Sequence, residues 1–285
     1  MARGVPKAGF RAPRRSAAEK LSSIKVSYAA PVSNETDAEI EARLGERFEV
    51  MDILTEACLV GNARALIISG APGVGKSYGV EKLLKDWDPN QINHTVVKGF
   101  VRSTGIYKLL YQYRNAGQVI VFDDADSVFT DDVSLNLLKA VADTCERRVV
   151  SWLSEGVLVD EETAVRIPRS FEFNGSIVFL TNLDFETLVK RGHKLAPHLE
   201  AMMSRSFYLD LSMKTPRDYI VRIRQVIKQG LLDHLTVSER KDVIAFIDKN
   251  YAILRELSLR CAIKLGSLRK QSNNWEKIAR ITLCK

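Results

Sequence analysis

The sequence predicts an α/β fold, in which a parallel sheet is sandwiched by helices and followed by a small all-helical domain. Short apolar segments alternate with helical segments up to Leu211, and this alternation is typical of a parallel sheet. After Leu211 the pattern becomes helical throughout. The chain has 285 residues, which is enough for a large and a small domain, since domains run to roughly 100–200 residues.

Five short apolar runs are predicted as strands, and the length and flanking residues of the first indicate a buried parallel strand. They are Ala65–Ile68, Thr95–Val97, Val119–Phe122, Ile177–Leu180 and Phe207–Leu209. Helices are predicted from about Glu39 to Val60 and from Lys76 to about Trp87, on either side of the first strand.

The last part of the chain carries helix-start signals. Thr215 followed by Pro216 fits a cap and a first helical residue, and Thr236 with Glu239 forms a capping box. Further helices are predicted near 251–269 and 273–284. We therefore expect three parts: a flexible basic tail over 1–33, a nucleotide-binding α/β domain over 34–212 and a helical lid domain over 213–285.

The composition is that of a globular protein, with 46% hydrophobic and 27% charged residues. No apolar run approaches the roughly 20 residues that a membrane helix needs, so we expect no membrane partner. The four cysteines form no close pair and have no zinc-site spacing, which favours reduced thiols in a cytoplasm. We therefore predict a cytoplasmic protein.

The formal charge of +7 is concentrated at the two ends of the chain, while the centre has a slight excess of acids. A basic end can neutralise phosphates and bind nucleic acid in a salt-dependent way. The alternative is a solvated tail and a solvated helix face, and both interpretations stay open.

The first predicted strand leads into a phosphate-binding loop that matches G-x-x-x-x-G-K-[ST] at every position. Its residues are Gly70, Ala71, Pro72, Gly73, Val74, Gly75, Lys76 and Ser77. The glycines let backbone N–H groups approach phosphate oxygens, and the helix that follows presents its positive end to them. Lys76 supplies charge to the terminal phosphates, and the Ser77 hydroxyl is a ligand that suits Mg²⁺. We therefore predict ATP and Mg²⁺ as the bound groups.

The third predicted strand ends in two carboxylates, Asp123 and Asp124. A parallel strand delivers its last residues to the carboxyl edge of the sheet, where ligands bind. With a phosphate-binding loop at the same edge, we expect Asp123 to hold Mg²⁺ and Asp124 to polarise the attacking water. The alternative is that the pair only caps a turn.

The order of these motifs resembles that of AAA+ ATPases over about residues 45–270. The resemblance implies that Asn182, which ends the L-T-N segment, is the sensor 1 residue that orients water. It implies that Arg205, in M-S-R, is an arginine finger that reaches the ATP site of a neighbouring subunit. It also implies that Arg260, in L-S-L-R, is the sensor 2 residue of the lid, with Arg255 as the other candidate. The alternatives are a turn-forming asparagine and solvated surface arginines.

The acidic pair departs from the family, which usually has Asp-Glu where this chain has Asp123-Asp124. A side chain shorter by one methylene must hold its water closer, or hydrolysis is slow. Some replication initiators and helicase loaders of the family share Asp-Asp, and the chain also resembles small AAA+ proteins of tailed bacteriophages. The resemblance thus implies a homo-oligomeric ring with a DNA-related task, in the host cytoplasm if a phage encodes it.

Two segments are candidates for gripping a macromolecule. Phe100, after the second strand, fits either an aromatic pore residue or the first residue of the next packed helix. Residues 157–167 are predicted as a hairpin whose tip carries Asp160, Glu161 and Glu162. An acidic tip repels a phosphate backbone and favours a protein substrate if it faces a channel.

The predicted function is therefore a Mg²⁺-dependent ATPase that remodels or loads a macromolecule, with DNA or replication proteins as partners. A protein-remodelling or unfolding ATPase is one alternative. An ATP-gated assembly switch with slow hydrolysis is another.

Overall fold

The computed structural model describes residues 35–154, 156–160 and 164–285. The predicted basic tail over 1–33 and the hairpin residues Glu161–Thr163 lie outside the described residues. Helices and strands are interspersed as far as residue 210, and only helices follow in the described residues. The predicted division into an α/β part and a helical part is therefore seen in the order of the elements.

The described residues form helices and strands with the following bounds. The helices are α1 (Asp37–Leu59), α2 (Lys76–Trp87), α3 (Ser103–Gln112), α4 (Asp132–Ala142), α5 (Phe185–Lys190), α6 (Ala196–Arg205), α7 (Pro216–Lys228), α8 (Val237–Asn250), α9 (Leu259–Gln271) and α10 (Trp275–Leu283). The strands are β1 (Ala65–Ser69), β2 (His94–Lys98), β3 (Val119–Asp123), β4 (Val149–Ser151), β5 (Ser170–Glu172), β6 (Ser176–Thr181) and β7 (Phe207–Asp210).

The main sheet has five parallel strands in the order β2-β3-β6-β1-β7. These are the five strands that the sequence predicts. Strand β6 lies between β1 and β3, so the residue that follows β6 lies between those that follow the other two strands. Because all five strands run the same way, their carboxyl ends share one edge of the sheet.

The sheet is covered by helices on both faces, as predicted. Side chains alternate along β1, so that Ile67 packs into one core while Leu66 and Ile68 pack into the other. The first core contains apolar residues of α3, α4 and α6, together with the stacked rings of Phe122 and Phe179. The second core contains the buried faces of α1 and α2. Strands β1, β3 and β6 are buried throughout, which explains their continuous apolar sequences, whereas the edge strands β2 and β7 are partly exposed.

Helix α7 contributes to two cores. Tyr219 and Val221 pack against α1 and the sheet, whereas Ile223 and Val226 pack among the following helices. Both predicted helix starts are confirmed, since the Thr215 hydroxyl caps α7 and Thr236 forms a capping box with Glu239. A domain boundary at residue 212 stays a prediction, because α7 links the helical core to the sheet.

Ion pairs add to the contact between α1 and α7. Asp37 accepts hydrogen bonds from Arg217 at 2.7 Å and from Arg224 at 3.1 Å, and Lys228 contacts Glu41 at 3.2 Å. Such exposed pairs each contribute about 0–1 kcal/mol. The apolar contacts therefore supply most of the attachment, and the ion pairs set its alignment.

The helix predicted near 251–269 is wrong at its start, since α9 begins at Leu259. The Ser258 hydroxyl accepts a hydrogen bond from the Cys261 N–H at 3.2 Å, which makes Ser258 the N-cap. Before it, Leu254 forms an antiparallel bridge with Cys284 at the end of the chain. A tertiary contact thus takes the place of the predicted first two turns.

The hairpin predicted over 157–167 is present and longer than predicted. Val159 bridges Arg166, and β4 and β5, which the sequence analysis missed, pair antiparallel farther down. Of the three acids predicted at the tip, Asp160 is buried and accepts a hydrogen bond from Gln112 at 2.9 Å. None of the described helices is both long and apolar enough to cross a bilayer.

Candidate nucleotide-binding site

The loop between β1 and α2 has a backbone that favours glycine at two positions. Gly73 has φ 76° and Gly75 has φ 109°, both in the left-handed region. A Cβ on Gly73 would lie 2.7 Å from the Ser258 Cβ, so the loop also packs too closely for a side chain there. Gly75 begins α2 with no capping side chain. The first N–H groups of α2 are therefore available to an anion.

Lys76 lies beneath this loop and is only 5% exposed. Its Nζ donates to the Gly70 carbonyl at 2.6 Å, to the Ala71 carbonyl at 3.1 Å and to the Asn182 Oδ1 at 3.0 Å. Burial lowers the pKa of Lys76 to about 8, although nearby aspartates oppose this shift. An anion bound at the loop would give the Lys76 ammonium a partner of opposite charge.

Ser77 and Asp123 meet at the carboxyl edge of the sheet. The Ser77 Oγ donates to the Asp123 Oδ1 at 2.8 Å, and Asp123 is 3% exposed. A hydroxyl and a carboxylate are the hard oxygen ligands that Mg²⁺ prefers, so these two residues fit the predicted metal. A metal ion held there would neutralise charge on nucleotide phosphates.

Asn182 connects Lys76 to Asp124. Its Nδ2 donates to the Asp124 Oδ1 at 2.8 Å, while its Oδ1 accepts from Lys76. The position of β6 between β1 and β3 places Asn182 there. Asp124 has φ 52°, a conformation in which aspartate is tolerated better than most residues. The three side chains thus form one hydrogen-bonded row.

Thr181 and Asp126 form a second hydrogen-bonded pair next to this row, which the sequence analysis did not single out. The Thr181 Oγ1 donates to the Asp126 Oδ1 at 2.5 Å and accepts from the Leu183 N–H at 3.0 Å. Burial raises the pKa of Asp126. The signal in the sequence is a threonine just before Asn182 and a third acid two residues after Asp124.

The helical region covers the loop. The Leu259 N–H donates to the Gly73 carbonyl at 2.9 Å. Arg260 is exposed and lines the cleft together with Pro72, Asp124 and Asn182. Apolar side chains line the same cleft: Val226, Leu231, Leu259 and Ile263. The cleft therefore combines a basic group near the loop with an apolar wall suited to a nucleotide base.

Arg255, the other candidate for the lid arginine, has a different neighbour. Its Nε donates to the Cys284 carbonyl at 2.8 Å. It thus contacts the end of the chain, whereas Arg260 lies at the cleft.

Arg205 lies at the opposite edge of the sheet from the other predicted site residues. It precedes β7, whose Phe207 is level with Leu66 at the start of β1. At about 3.3 Å per residue, Arg205 is therefore roughly 20 Å from Gly70 along the strand direction. Its Nη1 donates to the Ala201 carbonyl at 2.9 Å, and its Nε contacts Asp143 at 3.4 Å. Arg205 does not join the site of its own chain.

Phe100 is 75% exposed. The preceding residue, Gly99, has φ 87°, and the chain turns there so that Val101 packs against the core instead. The interpretation of Phe100 as a core residue is therefore wrong.

Fold and site together define the class of this protein. A parallel sheet carries the phosphate-binding loop at one strand end and the acidic pair and Asn182 at two others, and a helical region covers the loop. The protein has the fold and the phosphate-binding loop of a P-loop nucleotide-binding protein.

No family model matches the chain. A 36.7 kDa protein of the nrdC-mobD intergenic region of Enterobacteria phage T4 is 38% identical over 269 residues, which cover 91% of this chain and 78% of the phage protein. The chain belongs to the family of this phage T4 protein.

Three solved structures illustrate the likeness to known folds. The Thermotoga maritima RuvB P216G mutant gives a TM-score of 0.48 at 12% identity, covering 88% of this chain and 73% of that one. Brucella abortus NtrX in complex with ATP gives 0.44 at 11% identity, covering 86% and 54%. Aeropyrum pernix ORC2 gives 0.45 at 14% identity, covering 85% and 68%. With TM-scores below 0.5, the class assignment rests on the sheet and the loop described above.

Proposed function

We propose that this protein is a Mg²⁺-dependent AAA+ ATPase that acts as a homo-oligomeric ring to remodel or load a macromolecule, in DNA replication or processing. The observation that carries the proposal is the row formed by Lys76, Asn182 and Asp124 beside the pair formed by Ser77 and Asp123. A site that only binds nucleotide does not need a carboxylate held at the far end of the row.

Each residue of the row has a distinct role. Lys76 binds the terminal phosphates and stabilises their charge, which burial strengthens because the local dielectric constant is low. Asp124 polarises the attacking water, and Asn182 orients both the Asp124 carboxylate and this water. Ser77 and Asp123 hold Mg²⁺, and Arg260 contacts the phosphates from the lid of the same chain.

The ring is supported by the position of Arg205. An arginine roughly 20 Å from the loop of its own chain can act only on a nucleotide held by another copy. Head-to-tail packing of identical chains brings one face against a different face of the next copy and closes into a ring when the rotation permits. Arg205 then stabilises charge on the γ-phosphate of the neighbour.

DNA is the first candidate substrate because both ends of the chain are basic and a basic surface neutralises phosphates. The membership in a phage T4 family supports a phage origin and action in the host cytoplasm. The exposed Phe100 favours the second candidate, a protein substrate that the ring unfolds or remodels.

The test is steady-state ATP hydrolysis by the purified protein, with and without single-stranded DNA, using Lys76→Ala as the inactive control. Hydrolysis that requires Lys76 and rises with DNA supports the proposal. Hydrolysis that requires Lys76 and ignores DNA favours the protein-remodelling candidate. Nucleotide binding without turnover under any condition contradicts the motor and leaves an ATP-gated switch.

A further inference from the structure

A lysine outside the predicted site contacts the carboxylate that is proposed to hold the metal. Lys98 ends β2, and the register of β2 with β3 places it level with Asp123. Its Nζ lies 3.2 Å from the Asp123 Oδ2 and 2.6 Å from the Glu81 Oε1. Because the Asp123 Oδ1 already accepts from Ser77, both oxygens of this carboxylate are engaged.

Two carboxylates contact this ammonium, and the Ser77 hydroxyl contacts one of them. Glu81 lies on α2 four residues after Ser77, so the two side chains share one face of the helix. Together with Asp123 they offer one hydroxyl and two carboxylates. This is the oxygen set that a divalent cation prefers, and in the structure Lys98 supplies the positive charge.

We propose that Lys98 is an internal counter-cation of the metal site, which holds Asp123 before a metal ion binds and must give up Asp123, keeping only Glu81, when one enters. The inference rests on the proposed role of Asp123 in holding Mg²⁺. It adds two residues, Lys98 and Glu81, that set how readily the site accepts a metal. Lys98 is a positioning residue, since it acts through Asp123.

The exposure of the groups indicates which of them moves. The Asp123 side chain is 5% exposed, whereas those of Lys98 and Glu81 are 58% and 48% exposed. Asp123 is also fixed by its hydrogen bond with Ser77. The lysine can thus rotate towards Glu81 within solvent, while the carboxylate stays at the end of β3.

The two contacts of Lys98 also differ in strength. The hydrogen bond with Glu81, at 2.6 Å, is shorter than the contact with Asp123, at 3.2 Å. Lys98 therefore keeps Glu81 as its ion-pair partner after it leaves Asp123. A positive charge this close to a bound cation opposes binding, so removing it must strengthen metal binding.

The experiment titrates Mn²⁺, a probe for the same oxygen site, into the full chain with saturating nucleotide, and follows bound metal by electron paramagnetic resonance. Lys98→Met should lower the half-saturating Mn²⁺ concentration by about tenfold or more, since a like charge this close shifts a binding equilibrium by about one logarithmic unit or more. Lys98→Arg keeps the charge and should stay within about twofold of wild type. Lys85→Met, which removes an exposed lysine from α2, is the charge-matched control.

A second variant tests the proposal from the other side. Glu81→Gln leaves Asp123 as the charged partner of Lys98, so the half-saturating Mn²⁺ concentration should rise about threefold. Asp86→Asn, which removes an exposed acid from the same helix, should leave it unchanged. Thermal unfolding confirms that each variant is folded.

An unchanged or raised Mn²⁺ requirement in Lys98→Met overturns the inference, and so does equal weakening by Glu81→Gln and Asp86→Asn. If the wild type binds nucleotide and Mn²⁺ normally in these cases, the proposed function stands and only the role of Lys98 is refuted. If the wild type shows no nucleotide-dependent Mn²⁺ binding, both are refuted.

Discussion

Replacing Arg205 by alanine tests whether the active unit is formed by two chains. Arg205 lies roughly 20 Å from the phosphate-binding loop of its own chain, so its loss should not weaken nucleotide binding to that chain. Its ion pair with Asp143 spans 3.4 Å, with side-chain exposures of 34% and 33%. The truncation should therefore cost less than about 1 kcal/mol of folding stability, while ATP turnover should fall about 10³-fold, the lower end of the effect of an arginine finger.

Mixing two inactive variants gives a quantitative test of a site shared between two chains. Asp124→Asn keeps Arg205 but lacks the carboxylate that polarises water, and asparagine is well tolerated at the φ of 52° found there. In a random equimolar mixture with Arg205→Ala, about a quarter of the interfaces combine an intact Asp124 with an intact Arg205 of the next copy. Turnover should then recover to about a quarter of the wild-type rate.

The assay is a coupled ATPase measurement on each variant alone and on the mixture after subunit exchange. Arg147→Ala is the matched control, since Arg147 is exposed and pairs with Glu172 on the hairpin, and it should keep wild-type turnover. No recovery in an exchanged mixture would refute the reasoning, because a site completed within one chain cannot be rescued by another. Normal turnover by Arg205→Ala alone would refute it as well.

Three further predictions concern single chains. Because burial lowers the pKa of Lys76 to about 8 from 10.5, the folded state binds fewer protons than the unfolded state between these pH values. Without nucleotide, stability should therefore rise by roughly 3 kcal/mol between pH 8 and pH 10.5, and urea unfolding of Lys76→Met should lack this rise. Asn182→Ala should lower kcat about 10²-fold with KM within about twofold, and a raised KM at normal kcat would contradict the bridging role. Phe100→Ala should change the unfolding free energy by less than about 0.5 kcal/mol and abolish stimulation by the macromolecular substrate, whereas the buried Phe173→Ala should cost about 3–5 kcal/mol. Retained stimulation by Phe100→Ala would remove Phe100 from the gripping surface.

The five strands of the main sheet could be predicted because each includes a short apolar run, and the central three are buried on both faces. The short strands β4 and β5 are different. Val149 and Ser151 are exposed on either side of the buried Val150, so one apolar residue marks the strand, and three residues are too few to show a period. Their pairing depends on the hairpin closing.

The start of α9 could not be predicted from local sequence either. Residues 251–258 carry enough apolar side chains to extend a helical pattern upstream, yet Leu254 pairs with Cys284 and Ser258 caps the helix. The two partners of the bridge are thirty residues apart, and no residue near Leu254 in the sequence indicates a contact with Cys284. Local periodicity cannot register a contact of this kind.

The candidate site could also be predicted only in part. The phosphate-binding loop and the acidic pair could be read from the sequence because their chemistry depends on neighbouring residues: glycines that turn the backbone, a lysine and serine at the start of a helix, and a strand that ends in carboxylates. Asp126 and Thr181 were missed because their hydrogen bond joins two strand ends.

The sequence by itself determined which residues can bind phosphate and where the strands of the main sheet lie, because these properties follow from adjacent residues and from short apolar runs. Only the tertiary structure decided that Asn182 lies between Lys76 and Asp124, that Lys98 contacts Asp123, and that Arg205 lies at the far edge of the sheet. The reason is the order of the strands. That order is set by how the helices pack on both faces of the sheet, and it brings together residues that are far apart along the chain.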